Sequence, residues 1–105
     1  MSYSIDKRNG DFVNFAAAFS GRISPNVRAI DFSASGPATF QCSVVSRIEN
    51  REDREAIAEA LEDFEAMRRP VYEFPFDMQC KVVVSNERID HPRFPALRLF
   101  AAREE

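Results

Sequence analysis

The sequence contains no tryptophan, three glycines, two cysteines and one histidine among its 105 residues. It also lacks any run approaching the roughly 20 apolar residues of a membrane-spanning helix. Its N-terminal residues do not show the apolar stretch of a secretory signal, so we expect a cytoplasmic protein with no membrane partner. The length predicts one domain, covering residues 1–105, with a core built largely on ten phenylalanines.

The groups that carry most enzymatic chemistry are scarce as well. No metal-ligand cluster, phosphate-binding loop or Ser/His/Asp ordering is present. Cys42 and Cys80 are far apart in sequence, which excludes CxxC chemistry, and both fall on the apolar side of a predicted strand. We expect them to be buried, reduced, structural thiols. The sequence therefore predicts no enzymatic activity and no cofactor or metal.

Negative charge, in contrast, is concentrated in one part of the chain. Between Glu49 and Glu65 lie eight of the 17 carboxylates but only two of the 14 basic side chains, so this stretch carries about −6. The other residues together carry about +3, which leaves the net charge at −3. Concentrated charge matters because it selects partners and sets how fast they arrive.

Hydrophobic periodicity predicts the order (β)αββαββ, which reads as a helix followed by a hairpin, twice. The first helix is expected to begin near Asn9 or Asp11 and to end at Gly21. The second spans about 51–67 and buries a stripe that includes Ile57 and Phe64. Four or five antiparallel strands with two helices packed on one face would bury every apolar side, which is an α+β fold. The predicted strands cover residues 27–35, 38–48, 71–85 and 96–103, with a short further one at 3–5.

The acidic residues of the second helix form one arc opposite its apolar stripe. This arc is either a solvated face or a docking surface for a cationic protein. A metal site is not expected, because carboxylates on a convex helix diverge instead of converging on one ion. Under the docking hypothesis the contacts are Glu52, Glu55, Glu59, Glu62 and Asp63, with Arg69, Tyr72 or Phe94 as a buried anchor.

The basic residues are scattered and form no stripe among exposed aromatic side chains. Nucleic-acid-binding proteins usually show such a stripe. Because the acidic helix would also repel phosphate, we expect no nucleic-acid partner.

The helix sequence REDREAIAEALEDFEA, in a short α+β chain without a catalytic set, resembles small bacterial immunity proteins that neutralise toxins, including those of contact-dependent inhibition systems. The resemblance implies tight one-to-one binding of a cationic nuclease, whose active site the carboxylates would block in place of RNA phosphate. No residue role is taken over from the family, because no position matches a fixed motif. We therefore expect a non-catalytic protein-binding module, an immunity or antitoxin-like inhibitor.

Two other classes stay open at this point. One is a small-ligand-binding or enzymatic domain, with a pocket between helices and sheet and the loop 86–95, which contains His91, as its lid. The other is a structural homodimer joined through a sheet edge, for which the strand at 71–85 is the candidate. Pro75 and Glu73 equally favour a protected edge there. The partner's identity and the oligomeric state are not predicted by the sequence.

Overall fold

A computed structural model describes residues 5–36, 39–68, 77–90, 92 and 96–102 of the chain. The fold is α+β, as the sequence predicts, with two helices and four strands in these residues. The predicted strand segment 71–76 lies outside the described residues. The elements are α1 (Ile5–Phe19), β1 (Val27–Gly36), β2 (Thr39–Ser46), α2 (Arg51–Arg68), β3 (Asp77–Val84) and β4 (Leu97–Ala101).

Helix α1 begins earlier than the sequence suggests. Ile5 is already helical, so the short strand predicted at 3–5 does not include it, and residues 3–4 lie outside the described part of the chain. Asp11 is buried inside the helix instead of capping it. Tertiary packing has overridden the local capping preference here. The predicted end is correct: Gly21 adopts a φ of 78°, and the N–H of Arg22 donates to the carbonyl of Phe19 at 2.9 Å.

The sheet is mixed, with the strand order β3-β2-β1-β4. Strands β1 and β2 form the predicted antiparallel hairpin, in which Phe32 lies opposite Cys42. Strand β4 pairs antiparallel with the other side of β1. Strand β3, however, pairs with β2 in parallel, so the prediction of a fully antiparallel sheet with a second hairpin is wrong. The cause is α2, which returns the chain to the starting end of the sheet and makes β2–α2–β3 a crossover unit.

Both helices pack on the same face of the sheet, as predicted. Their contact with the sheet is a cluster of phenyl rings, in which Phe64 lies edge-on to Phe15 and Phe40 at centroid distances of 5.5 and 5.6 Å. Tilted and edge-to-face rings add attraction beyond the area they bury. Among the described residues, the fully buried phenylalanines are Phe15, Phe19, Phe32, Phe40 and Phe64.

Neither α1 nor α2 is long and apolar enough to cross a lipid bilayer, within the part of the chain that is described.

Candidate protein-interaction surface on helix α2

The start of α2 is fixed by two asparagines. The side-chain oxygen of Asn50 caps the helix by accepting from the N–H groups of Glu52 and Asp53 at 2.8 and 3.2 Å. Asn26, in the loop before β1, accepts from the N–H of Ile48 at 3.0 Å and donates to the Ile48 carbonyl at 2.9 Å. The same amide donates to the Asp53 carboxylate at 2.7 Å. These bonds attach the first turn of α2 to the loop that follows α1.

The inner side of α2 is buried from Asp53 to Phe64, whereas Met67 near the end of the helix is exposed. Ile57 is 7% exposed, and Ala60 and Phe64 are fully buried in the phenyl cluster. This packing fixes the rotation of the helix about its own axis, and therefore fixes which side chains face solvent.

The outer side of α2 carries five carboxylates within an arc of about 100°, given 3.6 residues per turn. Four of these residues are exposed and the fifth, Asp63, is half-buried. The structure thus brings all five predicted acidic contacts onto one surface, whose binding role stays a prediction. We call this surface the acidic face, and it consists of Glu52, Glu55, Glu59, Glu62 and Asp63.

One margin of the acidic face is already paired within the molecule. The guanidinium of Arg22 lies 2.7 Å from the carboxylate of Asp63 and 3.7 Å from that of Glu59. The same group donates to the carbonyl of Ala18 at 2.7 Å, in the last turn of α1. A cation at a helix C-terminus interacts favourably with the helix dipole, so Arg22 links the end of α1 to the side of α2.

Two further ion pairs, near the start of α2, are solvent-exposed. Arg51 pairs with Glu55 one turn later at 3.0 Å. Arg54 contacts Glu49 through two nitrogens, and this hydrogen bonding lowers the pKa of the Glu49 carboxyl below its ordinary value. Exposed pairs of this kind contribute little to stability.

Glu52 and Glu62 are the unpaired members of the acidic face. Among the described residues, neither has an ion-pair partner. They are therefore the positions at which a cation from another molecule meets no competing pair.

Two features of this surface were not foreseen from the sequence. Asp53 belongs to the same acidic stretch but is only 7% exposed, because it lies on the side of the helix that turns toward Asn26. Arg22 is separated from α2 by the whole hairpin. Helical spacing places Asp53 close to the apolar stripe, so its burial could have been predicted from the sequence. The Arg22 contact depends on the tertiary structure and could not.

The remaining predicted residues lie outside the described part of the chain. This applies to the proposed anchors Arg69, Tyr72 and Phe94, and to His91 in the predicted lid. Within the described ranges, no three His, Cys, Asp or Glu side chains come together as a metal site would require.

In the described part of the chain the phenyl cluster occupies the space between helices and sheet, and the ligand pocket expected there stays a prediction. A shallow hollow of about 550 Å³ lies on the opposite face of the sheet, which neither α1 nor α2 covers. Arg98 and Asp31 form a two-nitrogen ion pair there at 2.8 and 3.2 Å, and hydrogen bonding to Asp31 raises the pKa of Arg98. The polar residues that line this hollow are Asp31, Ser33, Gln41, Ser43, Gln79 and Lys81.

The described part of the loop 86–95 lies on that same open face. Arg98 donates to the carbonyl of Asp90 at 2.7 Å, and Arg28 donates to the carbonyls of Ser85 and Glu87 at 2.7 and 2.8 Å. A second hollow, of about 420 Å³, lies beside this loop. The described residues of this loop thus contact the open face of the sheet, and its role as a lid stays a prediction.

Comparison with known proteins adds no relative to this description. A scan of protein-family models gave no match to the chain, and a search of curated proteins gave no significant similarity.

Proposed function

We propose that this protein is a non-catalytic binding module, an immunity or antitoxin-like inhibitor, which docks its acidic face onto a cationic protein such as a nuclease toxin. The observation that supports this proposal is the two-sided build of α2. Its inner side is held by buried phenyl rings, and its outer side offers carboxylates to solvent over more than two turns.

The electrostatics of the acidic face suit a partner that brings its own cations. An arginine or lysine can approach Glu52 or Glu62 without breaking an existing ion pair. At Glu59 and Asp63 it must compete with Arg22, which is only 29% exposed and is held by α1 as well. Among the described residues, the free positions of the acidic face are therefore Glu52 and Glu62, whereas Glu55 is already paired with Arg51.

A rigid helix lowers the cost of binding. Loops that become ordered on association lose conformational entropy, whereas α2 is already fixed by its cap and its core contacts. Charge on such a preformed surface acts mainly on the association rate and on the orientation of the partner.

The test is a charge reversal with a matched control. The variant Glu55→Lys/Glu59→Lys/Glu62→Lys should keep the fold and weaken binding by orders of magnitude. The partner to use is the protein encoded beside this one, measured by titration calorimetry and by inhibition of any nuclease activity. The control Asp6→Lys/Glu87→Lys/Asp90→Lys changes the net charge equally, on exposed residues away from the acidic face.

The two triple variants separate local from overall charge. If only the first loses affinity, and the loss shrinks with added salt, the acidic face is the contact. Equal losses in both variants would assign the effect to net charge. Unchanged affinity of the first variant at low salt would reject the proposal.

A homodimer through β3 is the second candidate, because one edge of this strand has no partner among the described strands. The N–H of Ser85 donates to the carbonyl of Ser46. In a parallel ladder the backbone N–H and C=O groups of every second residue point toward the same neighbouring strand. Because Ser85 points toward β2, the backbone groups of Met78, Cys80 and Val82 point toward the other edge of β3. An antiparallel two-fold pairing that places Met78 opposite the partner's Cys80 also places Asp77 opposite the partner's Lys81.

Sedimentation velocity at several concentrations tests this second candidate. Asp77→Lys or Lys81→Asp alone should weaken the dimer, since each creates two like-charge contacts by symmetry. The double variant Asp77→Lys/Lys81→Asp should restore it. A wild-type protein that stays monomeric at millimolar concentration removes the candidate.

A further inference from the structure

The two cysteines of this chain are direct neighbours in the sheet. Cys42 on β2 and Cys80 on β3 are register partners in the parallel ladder. Adjacent strands lie about 4.8 Å apart. This spacing falls within the Cα separation of about 4.4–6.8 Å that disulfides span. The crossover through α2 therefore brings together the chain's two thiols, which its sequence places far apart.

Both cysteine side chains point toward the helix-covered face. Cys42 is 3% exposed and belongs to the core, and Cys80 is half-buried and packs against that core. Both are free thiols. The Cys42 thiol is thus enclosed, whereas the Cys80 thiol is partly open to solvent. Cys80 lies on β3, one edge of which has no partner among the described strands.

The thiols also influence each other's protonation. Hydrogen bonding with Cys80, together with burial, raises the pKa of Cys42 far above its ordinary value. The same hydrogen bond lowers the pKa of Cys80, because the Cys42 S–H stabilises the Cys80 thiolate. Since the thiolate is the nucleophile, the more accessible sulfur is also the more reactive one.

We propose that Cys42 and Cys80 form a redox-active dithiol site, which reacts with small disulfide compounds and closes reversibly into an intramolecular disulfide. Nothing in this inference depends on the acidic face or on a protein partner.

The reaction has two exchange steps, with glutathione disulfide as the oxidant. The Cys80 thiolate attacks one sulfur of glutathione disulfide, which forms a mixed disulfide and releases one glutathione thiolate that takes up a proton. The Cys42 thiol then loses its proton and attacks the Cys80 sulfur, which releases the second glutathione thiolate. In total two cysteine thiols are oxidised to one disulfide, and one glutathione disulfide is reduced to two glutathione thiols.

Forming this disulfide would link β3 covalently to β2. The covalent loop from Cys42 to Cys80 contains all of α2, and cross-links that close long loops restrict the unfolded chain most. We therefore expect the oxidised protein to unfold at higher temperature than the reduced protein.

The experiment is oxidation of the folded, full-length protein by glutathione disulfide, followed by acid quenching and intact mass measurement. The wild type should lose two hydrogen atoms, and a non-reducing peptide map should join Cys42 to Cys80. Cys42→Ala should instead stop at the mixed disulfide on Cys80. Cys80→Ala should lose reactivity in the native state, because Cys42 is enclosed.

A pH profile separates a redox site from a purely structural pair. The rate of thiol labelling at Cys80 should rise with pH around a midpoint below that of a free cysteine, and this midpoint should move upward in Cys42→Ala. If that variant is too unstable, Cys42→Val replaces it. The proposal fails if the folded wild type keeps two free thiols after oxidation, or if it forms only disulfides between molecules.

Discussion

The two sides of α2 are built on different principles, although they belong to the same 18 residues. The inner side is tightly packed and contains a single carboxylate, Asp53, which is held by hydrogen bonds. The outer side is charged, exposed and only partly paired. The contrast teaches that the charge count of a helix does not describe its surface, since one acidic residue of the stretch is structural and two more are bound to Arg22.

The largest expected effect lies at the centre of the inner side. Phe64→Ala should lower the free energy of unfolding by about 3–5 kcal/mol, because it leaves a cavity among rings that cannot fully close. Urea denaturation measures this change. The matched variant on the outer side, Glu62→Ala, should stay within about 0.5 kcal/mol of the wild type. Similar losses for both variants would contradict the two-sided description.

An intermediate effect is expected at Asp53, where the two sides meet. Asp53→Ala should cost about 1–3 kcal/mol, because it removes a buried charged acceptor and leaves one amide hydrogen of Asn26 without this partner. The neighbouring Glu52→Ala is the control, since Glu52 is exposed and should be nearly neutral. A double-mutant cycle with Asn26→Ala would show coupling if the hydrogen bond is the cause, and additive losses would refute that cause.

A smaller loss of stability than at Phe64 or Asp53 is expected at Arg22, on the paired margin of the acidic face. Arg22→Gln should cost about 1 kcal/mol or less, since the ion pairs are partly exposed. Under the proposed function it should also speed association with a cationic partner at low salt, because Glu59 and Asp63 are no longer neutralised. Stopped-flow measurement at two salt concentrations tests this. Arg51→Gln, which frees only Glu55, is the comparison, and a slower association of Arg22→Gln would contradict the role given to the acidic face.

Much of the fold could be predicted because its signals are local. The apolar stripe of α2 and the alternation in β1 and β2 can both be recognised within a few residues. The direction of β3 could not be predicted, because an alternating strand has the same pattern whether it runs parallel or antiparallel to its neighbour. The start of α1 was missed because Asp11, which suits a helix cap, is buried inside the helix by tertiary contacts.

The features of the candidate site also fall into two groups, those that local sequence predicts and those that depend on the tertiary structure. Helical spacing alone places five carboxylates on one face, so their common surface could be predicted. The pairing of that surface with Arg22 and the meeting of Cys42 with Cys80 could not, since both arise from the crossover and the packing of distant segments. Sequence spacing excluded CxxC chemistry, but it contained no information on which residues the sheet would make neighbours.

The parallel pairing of β3 also has a consequence for the order of assembly. During synthesis the β1–β2 hairpin is complete at Ser46, but the outer edge of β2 gains its partner only after Asp77–Val84 has been made. The nascent chain therefore carries an open backbone edge while α2 is being translated. Because strand contacts of such long range form late, we expect folding to be slower than for a simple meander of the same strands. We therefore expect the risk of aggregation to be greatest after the β1–β2 hairpin has been made and before β3 covers the edge of β2.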